Sequence, residues 1–317
     1  MIINDIDQAV TALASGKLCA IPTETVYGLA ANALDESAVL RVFTAKGRPA
    51  DHPLIVHVST AQDANEWISE LPQWAIDLTA AVWPGPLTIV GTRTALASDL
   101  VTGGQNTVAI RVPSHPIAQA LLSKLKLQGI EGLVAPSANR FGHVSPTNAS
   151  HVLSDLGAYL SANDDLILDG GDCQVGLEST IVLATGPEPV ILRPGAITLA
   201  DIEQITGVAV ATTSTDAPRV SGSLDSHYSP MAKVVLIEAG STIEFGSSSG
   251  FLALAQVPTP AGLVRLGSPA TIDDFAHELY GCLRAGDDLN LETIYVVLAV
   301  GKGLAQAIND RLQRAAF

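Results

Sequence analysis

The stretch Lys46-Gly47-Arg48-Pro49-Ala50-Asp51-His52-Pro53, with His57 close behind it, sets a lysine, an arginine and two histidines within twelve residues. Its two prolines forbid helix across the middle, because each fixes φ and restricts the residue before it. Cations held in a rigid loop at a sheet edge suit a polyphosphate or another small anion. An ordinary solvated loop would carry the same residues, since most Lys and Arg face water. Taken alone, the segment leaves both readings open.

Other segments carry compatible chemistry. Pro22-Thr23-Glu24-Thr25-Val26-Tyr27-Gly28-Leu29 puts hydroxyls and a carboxylate between a proline and a glycine, where turn-making and substrate binding compete for Thr23 and Thr25. Arg111 lies inside an apolar run, so its charge must be paired or aimed at a cavity; a buried salt bridge and a carboxylate clamp are the two readings. The loop Pro136-Ser137-Ala138-Asn139-Arg140-Phe141-Gly142-His143-Val144-Ser145-Pro146-Thr147 lets backbone amides and hydroxyls approach phosphates, although Ser145 before Pro146 also suits a helix start. Gly176-Leu177-Glu178-Ser179-Thr180 and Arg193-Pro194-Gly195 adjoin two further apolar runs. His57 has the strand parity of Ile55, and histidine in an apolar strand is more often a satisfied core group than a metal ligand. No P-loop, dinucleotide glycine fingerprint or paired-histidine zinc helix occurs.

These groups need elements to hold them. Asn4 can cap a helix striped by Ile6, Val10 and Leu13, with Gly16 at its end. Asp35 can cap a second, through Val39, Val42 and Phe43, which delivers the chain to Lys46. Apolar runs at 18–21, 54–58, 87–90, 108–112, 133–135, 167–168, 181–183 and 190–192 read as strands. Helices are expected at 61–70, 73–83 and 115–126, with Trp83-Pro84-Gly85-Pro86 stopping the second of these. Thr198 caps a short helix to about residue 205. Polar residues at strand ends are where open α/β sheets place ligands. From 207 to 225 the chain turns Ser/Thr/Ala/Gly-rich, which reads as a linker, and it ends in His227-Tyr228. Strands at 234–237, 251–254 and 294–300, with helices at 272–285 and 303–315, read as a smaller parallel α/β domain. The division expected is 1–206, a linker or lid at 207–232, and 233–317. The second domain has few loop cations and no phosphate fingerprint, so it is expected to be regulatory or structural.

The 317 residues exceed the usual size of one core, and 47% hydrophobic against 15% charged supports well-buried interiors. No run approaches the roughly 18 uncharged apolar residues of a membrane span. The acidic first residues argue against a secretory signal. Cys19, Cys173 and Cys282 lie far apart without metal or redox spacing, so small buried thiols in a reducing cytoplasm are expected. The net charge of −15 excludes a broad basic face for nucleic acid. Residues 1–205 hold ten Lys and Arg, and Lys46, Arg48, Arg111, Arg140 and Arg193 all fall in motif segments, which points to a local anion site.

In their order these segments resemble the threonylcarbamoyl-AMP synthase family in its long form, a YrdC-like domain followed by a C-terminal domain. The resemblance rests on nine segments: 22–29, 46–57, 83–88, 109–113, 135–139, 144–147, 179–182, 193–195 and the linker's 221–230. It implies an α/β fold: a twisted open mixed sheet with helices, then a smaller Rossmann-like parallel domain. It implies a cytoplasmic nucleotidyltransferase that joins L-threonine, bicarbonate and ATP into threonylcarbamoyl-AMP and pyrophosphate. The product would serve threonylcarbamoyl-adenosine modification of tRNA beside the anticodon, passed to a tRNA threonylcarbamoyl-transferase complex. Direct binding of tRNA or double-stranded RNA would be weak at most.

Carried over by residue, Thr25, His57, Arg111, Ala135 and Ser179 would hold threonine. Lys46, Arg48, His52, Thr107, Ser137, Ser145, Arg193 and Tyr228 would surround ATP, with Lys46 and Arg48 catalytic and Tyr228 part of a lid. Mg²⁺ is expected with ATP, on phosphate oxygens rather than in a protein cage, and no tightly bound organic cofactor. Two positions depart from the family pattern: His52 replaces the Asn of many relatives, and Ser223-Leu224-Asp225-Ser226 replaces a lysine- and tyrosine-containing sequence. Two rival readings are a carbamoyl-transfer module and an RNA-binding module. Missing zinc-finger-like cysteine pairs and a missing acylphosphatase-like portion count against the first, and the acidic charge against the second.

Overall fold

A computed structural model describes residues 1–211, 217–222, 227–241 and 244–317. The Ser223–Ser226 departure lies outside the described residues. Among the described residues, ten strands of the first domain form one mixed sheet: β1 (Ile2–Ile3), β2 (Cys19–Ile21), β3 (Gly28–Asn32), β4 (Ile55–His57), β5 (Leu87–Thr92), β6 (Thr107–Arg111), β7 (Leu133–Val134), β8 (Leu166–Leu168), β9 (Thr180–Leu183) and β10 (Val190–Arg193). Their order is β1-β8-β2-β3-β7-β4-β6-β5-β9-β10, open at both ends. A second, all-parallel sheet orders β11 (Lys233–Ile237), β14 (Thr293–Val297), β12 (Ser249–Leu252) and β13 (Val264–Gly267). No helix among the described residues is long and apolar enough to cross a membrane.

Helices cover the large sheet unevenly. On one face α2 (Glu36–Lys46), α4 (Gln73–Val82), α7 (Ala149–Leu156) and α8 (Leu199–Thr206) pack their apolar sides onto Val56, Ile89, Ile110, Val134 and Val182. On the other, α1 (Ile6–Ala14) and α6 (Pro116–Lys126) bury Ile21, Ala30, Leu133 and Leu168. The remainder of that second face, around Ile55, Val90, Ala109 and Ile181, is covered by Val220 of the linker instead of a helix. Strand alternation turns Ile55, His57 and Arg111 towards this helix-free region.

Several local expectations need correction. Asp5, not Asn4, caps α1: its carboxylate accepts from Asp7 N at 2.8 Å, and it is the residue directly preceding the first helical position. The 61–70 helix shrinks to α3 (Ala61–Ala64), because the turns after it bury Trp67 and Ile68. Ser145 caps no helix; α7 begins four residues later behind Asn148, whose side chain accepts from His151 N. Strands β1, β3 and β13, and the one-turn α5 (Asp99–Thr102), have no counterpart in the sequence reading. The α9 (Ile272–Asp288) and α10 (Leu304–Ala315) helices fall close to where periodicity puts them.

Candidate active site

Parallel pairing of β4 with β6 sets His57 directly beside Arg111, and antiparallel pairing of β5 sets Thr88 on Arg111's other side. Thr88 Oγ1 lies 2.7 Å from Ser179 Oγ, which brings the residue ahead of β9 into the same group. The 22–29 loop folds back over them. Thr23 Oγ1 donates to Val26 O at 2.6 Å and so makes the local turn, while Thr25 Oγ1 accepts from Arg111 Nη1 at 2.7 Å. Turn and site are therefore one structure.

Arg111 makes the buried salt bridge of its first sequence reading and also faces a cavity. Nη2 lies 2.7 Å from Glu24 Oε1, a buried ion pair by distance whose angle falls short of a hydrogen bond. Glu24 Oε2 is anchored separately by Ser114 N at 3.0 Å. Arg111 Nε is thus buried with no acceptor among the described residues, and Nη2 has only the off-angle Glu24 oxygen, so this edge keeps donor capacity for a further acceptor. His57 is neutral: burial, then the charge of Arg111, lowers its pKa to about 3, and Nδ1 sits 3.2 Å from Ile55 O.

The other half of the site is cationic. Lys46, at the last turn of α2, donates to Ser137 O at 2.5 Å and Asn139 O at 2.6 Å. Arg48 Nη2 reaches Pro53 O at 2.9 Å and Ser221 Oγ at 3.1 Å, leaving Nε buried and unpartnered. Arg193 bonds Ser179 O through Nε and Nη2 at 3.1 and 3.0 Å, and Ser221 O through Nη1 at 2.9 Å. None of these three cations has a carboxylate within ion-pair distance among the described residues. Burial, aided by Arg48, pushes Lys46 well below its usual pKa. Two buried guanidiniums and a buried lysine, none with a carboxylate partner among the described residues, favour an anionic ligand, which would also restore the lysine's charge.

Between the halves lies a cavity of about 40 Å³. Thr25, Arg48, His57, Arg111, Ala135, Ser137, Ser179, Arg193 and Tyr228, nine of the expected site residues, line it. Lys46, His52, Thr107 and Ser145 do not. Lys46 fixes the loop that carries Ser137, and Ser145 Oγ donates to Glu178 Oε1 at 2.6 Å just behind the wall. His52 stands edge-on to Phe141 at 5.3 Å, outside the wall. Thr107 is not brought to the cavity: it opens into a separate groove under Arg219 and Ser221, because it begins β6 and lies four residues from Arg111.

The linker residues Ser221, Gly222, His227 and Tyr228 line the cavity. Tyr228 is buried, with φ +63°, and its hydroxyl has no hydrogen-bond partner among the described residues. Its ring is stacked on Tyr280 of α9, with centroids 5.7 Å apart and planes 24° apart. Gly222 has φ +79°, and a Cβ there would collide with the Tyr228 hydroxyl, so only glycine lets the two linker segments close together. Sequence reasoning missed Glu24 and Glu178, both inside motifs it had singled out, and missed Arg311 and Tyr280 entirely. The oddity of a carboxylate amid apolar and glycine residues was the available signal for Glu178.

Comparison with known proteins sets this geometry in context. A family model described as "Telomere recombination" matches residues 11–195, and one described as "Threonylcarbamoyl-AMP synthase, C-terminal domain" matches 197–317. The threonylcarbamoyl-AMP synthase of Pyrococcus abyssi is 37% identical over 95% of this chain and 90% of its own length. That of Bacillus subtilis is 34% identical over 98% and 92%. A crystal structure of P. abyssi Sua5 complexed with L-threonine superposes with a TM-score of 0.86 at 34% identity, covering all of this chain and 97% of that one.

Proposed function

The chain belongs to the threonylcarbamoyl-AMP synthase family, and from that premise we propose that it joins L-threonine, bicarbonate and ATP into threonylcarbamoyl-AMP and pyrophosphate. The observation that carries the reading is Arg111, whose Nε has no acceptor among the described residues and whose Nη2 meets only Glu24, facing a cavity whose other wall holds Arg48 and Arg193. A threonine carboxylate on that guanidinium leaves Thr25, neutral His57 and Ser179 to orient the rest of the amino acid. The threonine amine attacks bicarbonate carbon and water departs, giving a carbamate. A carbamate oxygen then attacks the α-phosphorus, and pyrophosphate leaves.

Such a step needs alignment and charge stabilisation more than a protein nucleophile. Arg48 and Arg193, with Lys46 behind Ser137, offer that charge. Magnesium would come with ATP on phosphate oxygens, which fits a site whose carboxylates are committed, Glu24 to Arg111 and Glu178 to Arg311. The cavity as closed has room for a few waters, at about 10–15 Å³ each. ATP entry therefore requires the Ser221 and Tyr228 segments to retreat, and their return would exclude water from a labile carbamate and adenylate. The product would pass to tRNA threonylcarbamoyl transfer in the cytoplasm.

The test is pyrophosphate release from ATP by the purified protein, with threonine or bicarbonate omitted in turn. Dependence on both is expected. Release without threonine would move the protein to carbamoyl-transfer chemistry, and no release in the complete mixture would overturn the proposal.

A further inference from the structure

The second domain, expected to be regulatory or structural, sends two side chains against Glu178, a residue of the cavity wall. Glu178, which lines the cavity, is buried. Its Oε2 accepts from Tyr280 Oη of α9 at 2.8 Å and from Arg311 Nε of α10 at 2.9 Å. Its Oε1 accepts from Ser145 Oγ at 2.6 Å. Arg311 is itself fully buried, and its Nη2 donates to Pro194 O at 2.9 Å, the carbonyl next to Arg193. The Arg311 guanidinium carbon lies 5.4 Å from the centre of the Tyr228 ring, which is also stacked on Tyr280. A buried carboxylate persists only where such partners compensate its lost hydration.

The distribution of these contacts is uneven. Of the residues expected around the nucleotide, Ser145 bonds Glu178, the Tyr228 ring lies against Arg311 and Tyr280, and Arg193 precedes Pro194, whose carbonyl Arg311 holds. Thr25, His57 and Arg111, expected around threonine, make their polar contacts to Thr23, Ile55 and Glu24 inside the first domain. We infer that Arg311 and Tyr280 are positioning residues of the nucleotide half of the site: they fix Glu178, which fixes Ser145 and faces Arg193. The inference rests on the synthase reading above.

Charge supports the geometry. Burial pushes the Glu178 carboxyl up, but Arg311 and Arg193, with the Ser145 hydroxyl, outweigh it and hold its pKa down to about 2. The other groups facing it are Tyr228 and Tyr280, both pushed up by burial, and His227, pushed down to about 3. None of them titrates between pH 5 and 8, so in the intact protein this cluster gives nucleotide binding no pH dependence there. Without Arg311 the Glu178 carboxyl would lose its largest lowering influence and rise, and its ionised form, no longer paired, would repel phosphate.

The experiment uses the full chain carrying Tyr280→Phe, Arg311→Met, or Glu178→Gln together with Arg311→Met. It reads binding of a non-hydrolysable ATP analogue with magnesium, binding of threonine, and the thermal midpoint, from pH 5 to 8. Tyr280→Phe removes one hydroxyl bonded to a charged group and is expected to weaken the nucleotide about tenfold with threonine affinity held. Arg311→Met is expected to weaken it further and increasingly as pH rises, and adding Glu178→Gln to abolish that pH dependence and restore part of the affinity. Equal weakening of both ligands, a change in thermal midpoint alone, or tighter nucleotide binding would overturn the inference, the last by making the pair a restraint on the lid. Should Arg311→Met not fold, Tyr280→Phe decides alone. Failure of the unaltered protein to bind the analogue would sink the synthase reading and this inference together, whereas normal binding by the unaltered protein and by both single variants sinks the inference only.

Discussion

Arg111 donates to Thr25, pairs through Nη2 with Glu24 and leaves Nε without an acceptor among the described residues. Replacing it therefore removes a clamp and also strands a buried carboxylate. Arg111→Ala is expected to weaken threonine binding roughly a hundredfold or more, from the loss of two charge-assisted bonds, while ATP-analogue binding stays within a few-fold. Adding Glu24→Gln should recover stability but not threonine affinity. Calorimetric titration of each ligand checks this, and equal loss of both would make Arg111 a structural residue. His57 and His227 carry a second prediction. Both are held neutral, with pKa pushed from 6.5 to about 3 mainly by burial, whereas the unfolded chain protonates them near 6.5. The unfolded state then binds more protons between those values, so stability falls as pH drops from 6.5 towards 3, by up to about 1.4 kcal/mol per pH unit per residue. Denaturant midpoints across that range test it, and a flat profile would refute it. At this scale motif residues such as Arg111 and Ser179 were legible because a charge or hydroxyl inside an apolar strand needs a reason. Arg311 was not, since its partner Glu178 lies 133 positions away and a helix-borne arginine looks like a solvated one.

The linker is the element whose composition misled most. Its Ser/Thr/Ala/Gly content reads as a free tether, yet its described parts are docked. Arg219 N donates to Gln105 Oε1 at 2.7 Å, Gln105 Nε2 returns a bond to Arg219 O at 3.1 Å, and Ser229 N donates to Gly142 O at 2.9 Å. Small residues allow this close approach as readily as they allow freedom. Tyr228 in the left-handed region adds local strain, worth about 1 kcal/mol or more for a bulky side chain. Gly222→Ala forces a Cβ into that region and into the Tyr228 hydroxyl, at a cost of about 1–2 kcal/mol to the closed arrangement. Ligand-free variant protein is expected to be cleaved in the linker several-fold faster than the unaltered chain in limited proteolysis, since local opening sets the rate. Equal cleavage would mean that Gly222 does not hold the lid. Among the regular elements, the strands rich in β-branched residues were readable. β3 was not, because Gly28-Leu29-Ala30-Ala31-Asn32 has weak strand propensity and exists through pairing with β2 and β7.

At the scale of the whole molecule, the two domains share a core rather than meet at a surface. Val26, Val144 and Leu177 of the first domain and Tyr228 of the linker belong to the same buried cluster as Phe275, Leu279 and Leu312 of the second. Arg284 of α9 grips Asp155 of α7 with both terminal nitrogens, at 2.9 and 2.7 Å, and the backbone of Gly176 passes so close to His277 that a Cβ would lie 2.5 Å from its carbonyl oxygen. A composition-based boundary at residue 206 locates the change of sheet but cannot reveal this, because contacts between segments more than a hundred residues apart leave no local period. Removing residues 221–317 keeps all ten strands of the large sheet and its two helix-covered cores, so the remainder should fold. It also uncovers three apolar side chains, worth about 1.5–3 kcal/mol each when fully buried, against a stability of about 5–15 kcal/mol for a typical domain. The truncated chain is therefore expected to melt well below the full chain, to bind an apolar dye, and to lose nucleotide affinity more than threonine affinity, since Glu178 loses two partners while Arg111 loses none. Thermal melts and paired ligand titrations on the two chains check this, and a truncated chain that matches the full one in both would show that the second domain merely rests against the site.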